Sequence, residues 1–189
     1  MYEGLDTIVL YEELAYEDVV PVAWRPLPEP FNPTVVGSFA DRNLRTLQAL
    51  QALEESGQSD KPDEDSPYAA HIMRLDMKLN LLLDMMGQLL VASQPRPRPS
   101  SIRFNALGAV WQSTPPFPPL GNQGVLEVYL RDCIAEPLRL VGRIATVTPD
   151  GRVKARFVPP GENIADLLEK LAFRKHRRQV AGARQPKKL

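Results

Sequence analysis

The sequence predicts an α+β chain: a small antiparallel β-barrel, broken by a two-helix insertion that forms an oligomeric coiled coil, and followed by a C-terminal helix. Three observations predict it. Short β-branched or alternating runs occur at residues 19–24 and again between 102 and 158. Apolar residues at helical spacing recur over 36–53 and again over 68–90 within the interval 33–94, and a last amphipathic stretch begins near 161. Several short strands closing on themselves before a helix suggest a barrel. The resulting division is an N-terminal segment with the first barrel strand (1–32), a helical insertion (33–94) with its coiled-coil helix at 67–94, the remaining barrel (95–160), and a helix with a basic tail (161–189).

The first segment is acidic and then reads Val19-Val20-Pro21-Val22-Ala23-Trp24. The proline-rich stretch 26–33 halts this strand, because proline removes a ladder donor. Over 33–56, Val36, Ala40, Leu44, Leu47, Leu50 and Leu53 recur every three or four residues and predict an amphipathic helix. Gly57 and the acidic stretch 59–66 interrupt it with a polar connector that has no apolar anchor.

Ser66 before Pro67 signals the next helix start. The hydroxyl accepts from an early N–H, and proline at the first helical position loses no bond it would have made. Asp63, Glu64 and Asp65 sit where the helix dipole favours anions, and Pro95 ends the helix. Roughly 28 residues span about 42 Å.

Placing Ile72 at heptad position a puts Leu79 and Met86 there too, with Tyr68, Leu75, Leu82 and Leu89 at d. Leu83 and Leu90 at e, with Met85 at g, widen the stripe. Such width suits three or four helices, or a dimer also covered by the helix 36–53. The alternative is a core helix packed within one subunit. Because this helix outruns the small β block available to cover it, the pattern predicts self-association, each buried leucine contributing about 1.5–3 kcal/mol.

A stiff proline–arginine linker at 95–100 leads to strand candidates at 102–111, 125–130, 138–147 and 152–158. Leu126, Val128 and Leu130 alternate with Glu127 and Tyr129, as in a half-buried strand. Thr148-Pro149-Asp150-Gly151 is a compact turn joining the last two strands. After Pro159-Pro160-Gly161, Ile164, Leu167, Leu168, Leu171 and Ala172 mark the last helix.

Composition excludes several classes. The most apolar region, 79–92, is interrupted by Asp84, Gly87 and Gln88 and predicts no membrane span. An acidic start argues against a secretory signal, and the single Cys133 allows no internal disulfide, so the expected location is cytoplasmic. Residues 1–65 carry 14 acids and four bases, the remainder nine acids and 19 bases. This split invites head-to-tail or intersubunit attraction; its plainer reading is two solvated surfaces.

His71 and His176 lie on different helices, and no glycine-rich phosphate loop occurs. Neither a zinc site nor a nucleophile–base pair suggests itself, so no enzyme, catalytic residue, metal or cofactor is expected. The run Arg174-Lys175-His176-Arg177-Arg178, with Arg184, Lys187 and Lys188, is acid-free after Glu169. Such a run can attract nucleic acid, acidic lipid or acidic protein. Without an aromatic platform it reads first as a solvated helix end with cations near the negative dipole terminus.

Residues 101–111, the hairpin around 147–152, and Ala155-Arg156-Phe157-Val158 leading into 164–178 resemble a PilZ domain, the bacterial family of small barrels that sense cyclic di-GMP. The likeness runs from residue 102 to about 178 and takes 19–24 as a first strand. The helical insertion marks the atypical, tetrameric PilZ subfamily, which this chain resembles over nearly its whole length. In that subfamily the long helices associate as a four-stranded coiled coil, so the resemblance implies a homotetramer.

PilZ receptors bind their dinucleotide with Arg-x-x-x-Arg before the barrel and Asp/Asn-x-Ser-x-x-Gly on an early strand. Guanidinium groups suit this work because they clamp phosphates and stack on guanine faces. The second motif aligns here as Arg103-Phe104-Asn105-Ala106-Leu107-Gly108: glycine is kept, arginine replaces the acid or amide, and asparagine replaces serine. The first motif is absent at its spacing, since Arg42 and Arg45 are three apart on a helix and Arg96 and Arg98 alternate with prolines. A guanidinium at Arg103 cannot accept the hydrogen bonds that a carboxylate accepts from guanine.

The leading expectation is therefore a non-catalytic signalling protein that assembles through residues 67–94 and acts through unidentified protein partners. The alternative is a cyclic di-GMP receptor using displaced Arg96, Arg98 and Arg103 with Asn105 and Gly108. A weaker third reading is nucleic-acid binding through the basic tail.

Overall fold

The computed structural model describes residues 14–28, 33–56 and 68–183. Within them the chain runs β1 (Tyr16–Pro26), α1 (Pro33–Ser56), α2 (Ala69–Ser93), β2 (Pro99–Phe104), β3 (Gly108–Gln112), β4 (Gln123–Val128), β5 (Leu138–Val147), β6 (Arg152–Phe157) and α3 (Glu162–Ala183). The strands close a barrel in the order β1-β2-β3-β6-β5-β4, every pairing antiparallel.

Closure depends on β1, which serves two neighbours. Residues 16–21 pair with β2 and residues 22–26 with β4. Pro21 marks the changeover, a position where a residue lacking an N–H is tolerated, and its carbonyl accepts from the Tyr129 N–H at 3.0 Å. The first strand is thus longer at both ends than the predicted 19–24.

The single strand predicted over 102–111 is in fact a hairpin. Asn105 turns the chain: its Oδ1 accepts from the N–H of Leu107 at 2.9 Å and of Gly108 at 3.2 Å. The Asn105 N–H in turn donates to the Gly108 carbonyl at 3.0 Å. This side-chain mimic of a backbone turn folds β3 onto β2 and sets Ile102 opposite Trp111. Apolar residues continue through the bend, which is why pattern alone hides it.

The predicted turn at 148–151 is present. Gly151 has φ +84°, its N–H donates to the Thr148 carbonyl at 2.9 Å, and Thr148 Oγ1 accepts from the Arg152 N–H at 3.1 Å. Inside the barrel, Ile102, Phe104, Leu126, Val128, Leu138, Leu140, Ile144 and Val153 form the core. α3 adds Ile164, Leu168 and Leu171, and α1 adds Leu47 and Leu50. α3 packs on β1 and α1, and α1 packs on β5. The two helices therefore plug the end of the barrel where β1 begins.

Part of the charge split is neutralised within the chain. Glu54 of α1 is only 8% exposed and accepts from Arg174 Nε at 2.8 Å and Arg178 Nη1 at 3.0 Å on α3. Lys175 donates to Asp18 on β1. Two cations of the basic run thus hold α3 to α1 and a third holds it to β1, rather than forming the solvated helix end that the sequence suggested.

Candidate functional site

α2 has 25 residues, a length of about 38 Å. It opens at Ala69 with Tyr68 at the N-cap and no side-chain cap; the start expected at Ser66 and Pro67 lies outside the described residues. At the other end the Gln94 N–H donates to the Leu90 carbonyl at 2.8 Å, one residue before Pro95.

Gly87 is the buried residue of this helix. The heptad positions Tyr68, Ile72, Leu75, Leu79, Leu82, Met86 and Leu89 are between 47% and 69% exposed. A helix used as a core element of its own subunit would bury such a stripe. α1 does not cover it either, since α1 packs on α3 and β5.

Leu83 and Leu90 differ from the rest of the predicted set. With Gly87 they fall at i, i+4 and i+7 on one flank, and both are half-buried. A Cβ on Gly87 would stand 3.2 Å from Asp132 Cβ and 3.3 Å from the Cys133 nitrogen, so this flank is where the helix meets its own barrel. On the face away from the seam, Met73, Met77 and Leu81 are also exposed, a feature the heptad reading passed over.

Arg96 fixes the helix exit. Nη1 donates to the Arg131 carbonyl at 3.0 Å and to Asp132 Oδ1 at 2.9 Å. Nη2 donates to the carbonyls of Asp132 at 2.9 Å and Ile134 at 3.0 Å. The guanidinium also lies 5.1 Å above the Tyr129 ring, and its side chain is 7% exposed. It fastens the loop 131–134 beneath α2.

The residues considered for a dinucleotide do not converge. Arg96 is committed to that loop. Arg98, held extended by the following proline, lies at one end of β2. Arg103 is near the other end, five residues and about 17 Å away along an extended chain, and on the opposite face. Arg103 Nη1 stands 3.4 Å from Glu17 Oε2, its cross-strand partner. Asn105 is 8% exposed and serves the turn, while Gly108 pairs with Arg156 of β6. Arg42 and Arg45 border a depression of about 810 Å³ with Leu53, Cys133 and Ile134.

A polar cluster around one buried carboxylate joins α1 to the barrel wall. Glu127 is 7% exposed and accepts from Arg25 Nε at 2.6 Å and Arg139 Nε at 3.2 Å. Asn43 of α1 accepts from the Arg139 N–H and donates to the Arg139 carbonyl, both at 2.7 Å. Burial acts against the Arg139 charge, but the hydrogen bonds and attraction of Glu136 and Glu127 outweigh it and raise the pKa. Sequence periodicity carries no signal for such a contact, because its members lie on separate elements.

Among the described residues, no group of three or more His, Cys, Asp or Glu side chains is placed to hold a metal ion, and no helix is long and apolar enough to cross a membrane.

A family model described as an atypical PilZ domain, cyclic di-GMP receptor, matches residues 47–185. A search among curated proteins gives no match. Among solved structures, the chain aligns with a pathogenic protein from Xanthomonas campestris at a TM-score of 0.68 and 24% identity, over 96% of this chain and 99% of that one. That protein is described as a new tetrameric PilZ domain self-assembled via an unusual helical bundle. At this identity the likeness speaks for the fold, and it extends over the helices as well as the barrel. The family match takes in part of α1 and all of α2, the strands β2 to β6 and α3, and the chain belongs to the atypical PilZ domain family.

Proposed function

We propose that this chain is a non-catalytic signalling protein whose PilZ barrel is multiplied by α2 into a homotetramer, and which acts on protein partners in the cytoplasm. The exposed seam of α2 carries the reading. Burying the exposed half of Ile72, Leu75, Leu79, Leu82, Met86 and Leu89 contributes roughly 1 kcal/mol at each, about 6 kcal/mol per chain. Exposed Met85 beside the seam supports more than two strands. The helical-bundle assembly of the structurally similar Xanthomonas campestris protein supports the same stoichiometry. Four barrels on one bundle would give avidity that a single barrel lacks.

The test combines Leu79→Glu with Leu82→Glu, which places carboxylates in the seam, where desolvating each ion costs several kcal/mol. Light scattering should give the monomer mass, and the monomeric variant should lose partners that the intact protein captures from a bacterial lysate. An unchanged assembly mass overturns the proposal.

The family description favours a second reading, a cyclic di-GMP receptor using non-consensus arginines. Micromolar binding by titration calorimetry, abolished by substituting Arg96, Arg98 and Arg103, would replace the first reading with this one.

A further inference from the structure

α1 and α3 plug the barrel where β1 begins, but the end reached by Trp24 opens into a cavity of about 720 Å³. That volume lies within the range of pockets for small ligands and short peptides. Trp24 and Trp111 form its inner wall, stacked with ring centroids 6.0 Å apart and an interplanar angle of 22°. Gly124 makes room for Trp24, since a Cβ there would stand 2.7 Å from the indole. The proline-rich segments around Pro97 and Phe117 complete the rim.

The polar groups of this cavity are mostly engaged. Trp24 Nε1 donates to Asn122 Oδ1 at 2.8 Å, Gln112 Nε2 to the Asp150 carbonyl at 2.6 Å, and Ser100 Oγ to the Gln112 carbonyl. Arg98 is the charged exception. It is the one charged residue among the described residues lining the cavity, it is exposed, and it makes no hydrogen bond or ion pair with any described residue. Ring faces with a single open guanidinium select an apolar body bearing one negative charge.

We propose that this open barrel end is a docking pocket for an extended partner peptide in which a proline or aromatic ring stands beside a carboxylate. The ring packs on the half-buried Trp24 and Phe117, with Trp111, only 4% exposed, backing Trp24 from the core, and the carboxylate pairs with Arg98. Proline-rich peptides suit an aromatic-lined pocket because their extended helix is already formed, so little chain entropy is lost on docking. The inference rests on the reading that the chain acts through protein partners, and it names the surface and the chemistry of the partner.

The chain has two tryptophans, Trp24 and Trp111, both in this wall, so intrinsic emission reports on the pocket alone. The probe is acetyl-Pro-Pro-Glu-Phe-Pro-Pro-amide, with a second peptide carrying Lys in place of Glu. The acidic peptide should produce a saturable emission change and bind about tenfold more tightly than the basic one, as one charge-assisted contact allows. Arg98→Glu, an exposed substitution, should reverse that preference, and Phe117→Ala should weaken both peptides. The Leu79→Glu, Leu82→Glu double variant should bind the probe as the wild type does, which separates failure of the pocket from failure of assembly. The proposal is overturned by no emission change at millimolar peptide, by equal binding of both peptides, or by an unaltered preference in Arg98→Glu. It is equally overturned if free benzoate binds while the peptide does not.

Discussion

Replacing Arg96 with alanine should loosen α2 from the barrel. Four hydrogen bonds are lost, three of them to the carbonyls of Arg131, Asp132 and Ile134 and one to the Asp132 carboxylate. The carboxylate adds little, because the Asp132 side chain is 73% exposed and water screens the pair. Hydrogen bonds to a charged donor are each worth about 1.5–3 kcal/mol, but carbonyls freed on a surface loop regain water. The net loss should be about 2–4 kcal/mol, including the guanidinium packing on Tyr129. Urea unfolding with an unchanged m-value measures it. Asp132→Ala is the control and should cost less than about 1 kcal/mol. Arg96→Lys should recover only part of the loss, since an ammonium lacks the planar fork. Arg96→Ala within about 0.5 kcal/mol of wild type would refute this reasoning and return Arg96 to the pool of ligand candidates.

Two further substitutions test the same frame. Gly87→Leu drives a side chain into Asp132 and Cys133, so thermal unfolding should show a loss of about 1–3 kcal/mol; full stability would mean the loop does not rest on the helix. Asp18 is subject to burial, which raises its pKa, but hydrogen bonds from Lys175, Tyr16 and the Val19 N–H outweigh it and leave the folded value below 3.8. Its stabilisation is therefore present above the unfolded value and lost as pH falls through the folded one. Asp18→Asn should flatten the urea-unfolding profile below pH 3.8, and an unchanged acid profile would contradict the assignment.

What the sequence made legible was local. The alternation around Leu126 and Val128 placed the β4 region but not its burial: the strand runs Gln123–Val128 with every residue buried, because Arg25 and Arg139 cover Glu127. The three- and four-residue recurrence from Val36 to Leu53 placed α1, and the 148–151 turn is set by its own residues. The heptad positions of α2 were readable because their period does not depend on the partner. Asn105 escaped because the apolar pattern runs through its turn, and Pro21 because a change of strand partner leaves no mark on a single strand. The contacts that assign roles are remote in sequence. Glu54 meets Arg174 and Arg178, Arg96 meets residues 131–134, and Trp24 stacks on Trp111. Side-chain periodicity describes one element at a time, so Arg96 and Arg98, two residues apart, read alike. Only the folded chain separates the loop anchor from the exposed cation at the barrel mouth.

The most direct measurement is the mass of the wild-type chain in solution by multi-angle light scattering over a dilution series. Assembly through the α2 seam as four strands predicts a species of four chains, each 21.2 kDa, that persists on dilution until the seam dissociates. A species of one 21.2 kDa chain at every concentration would contradict the account, leaving the exposed row from Ile72 to Leu89 without the role assigned to it.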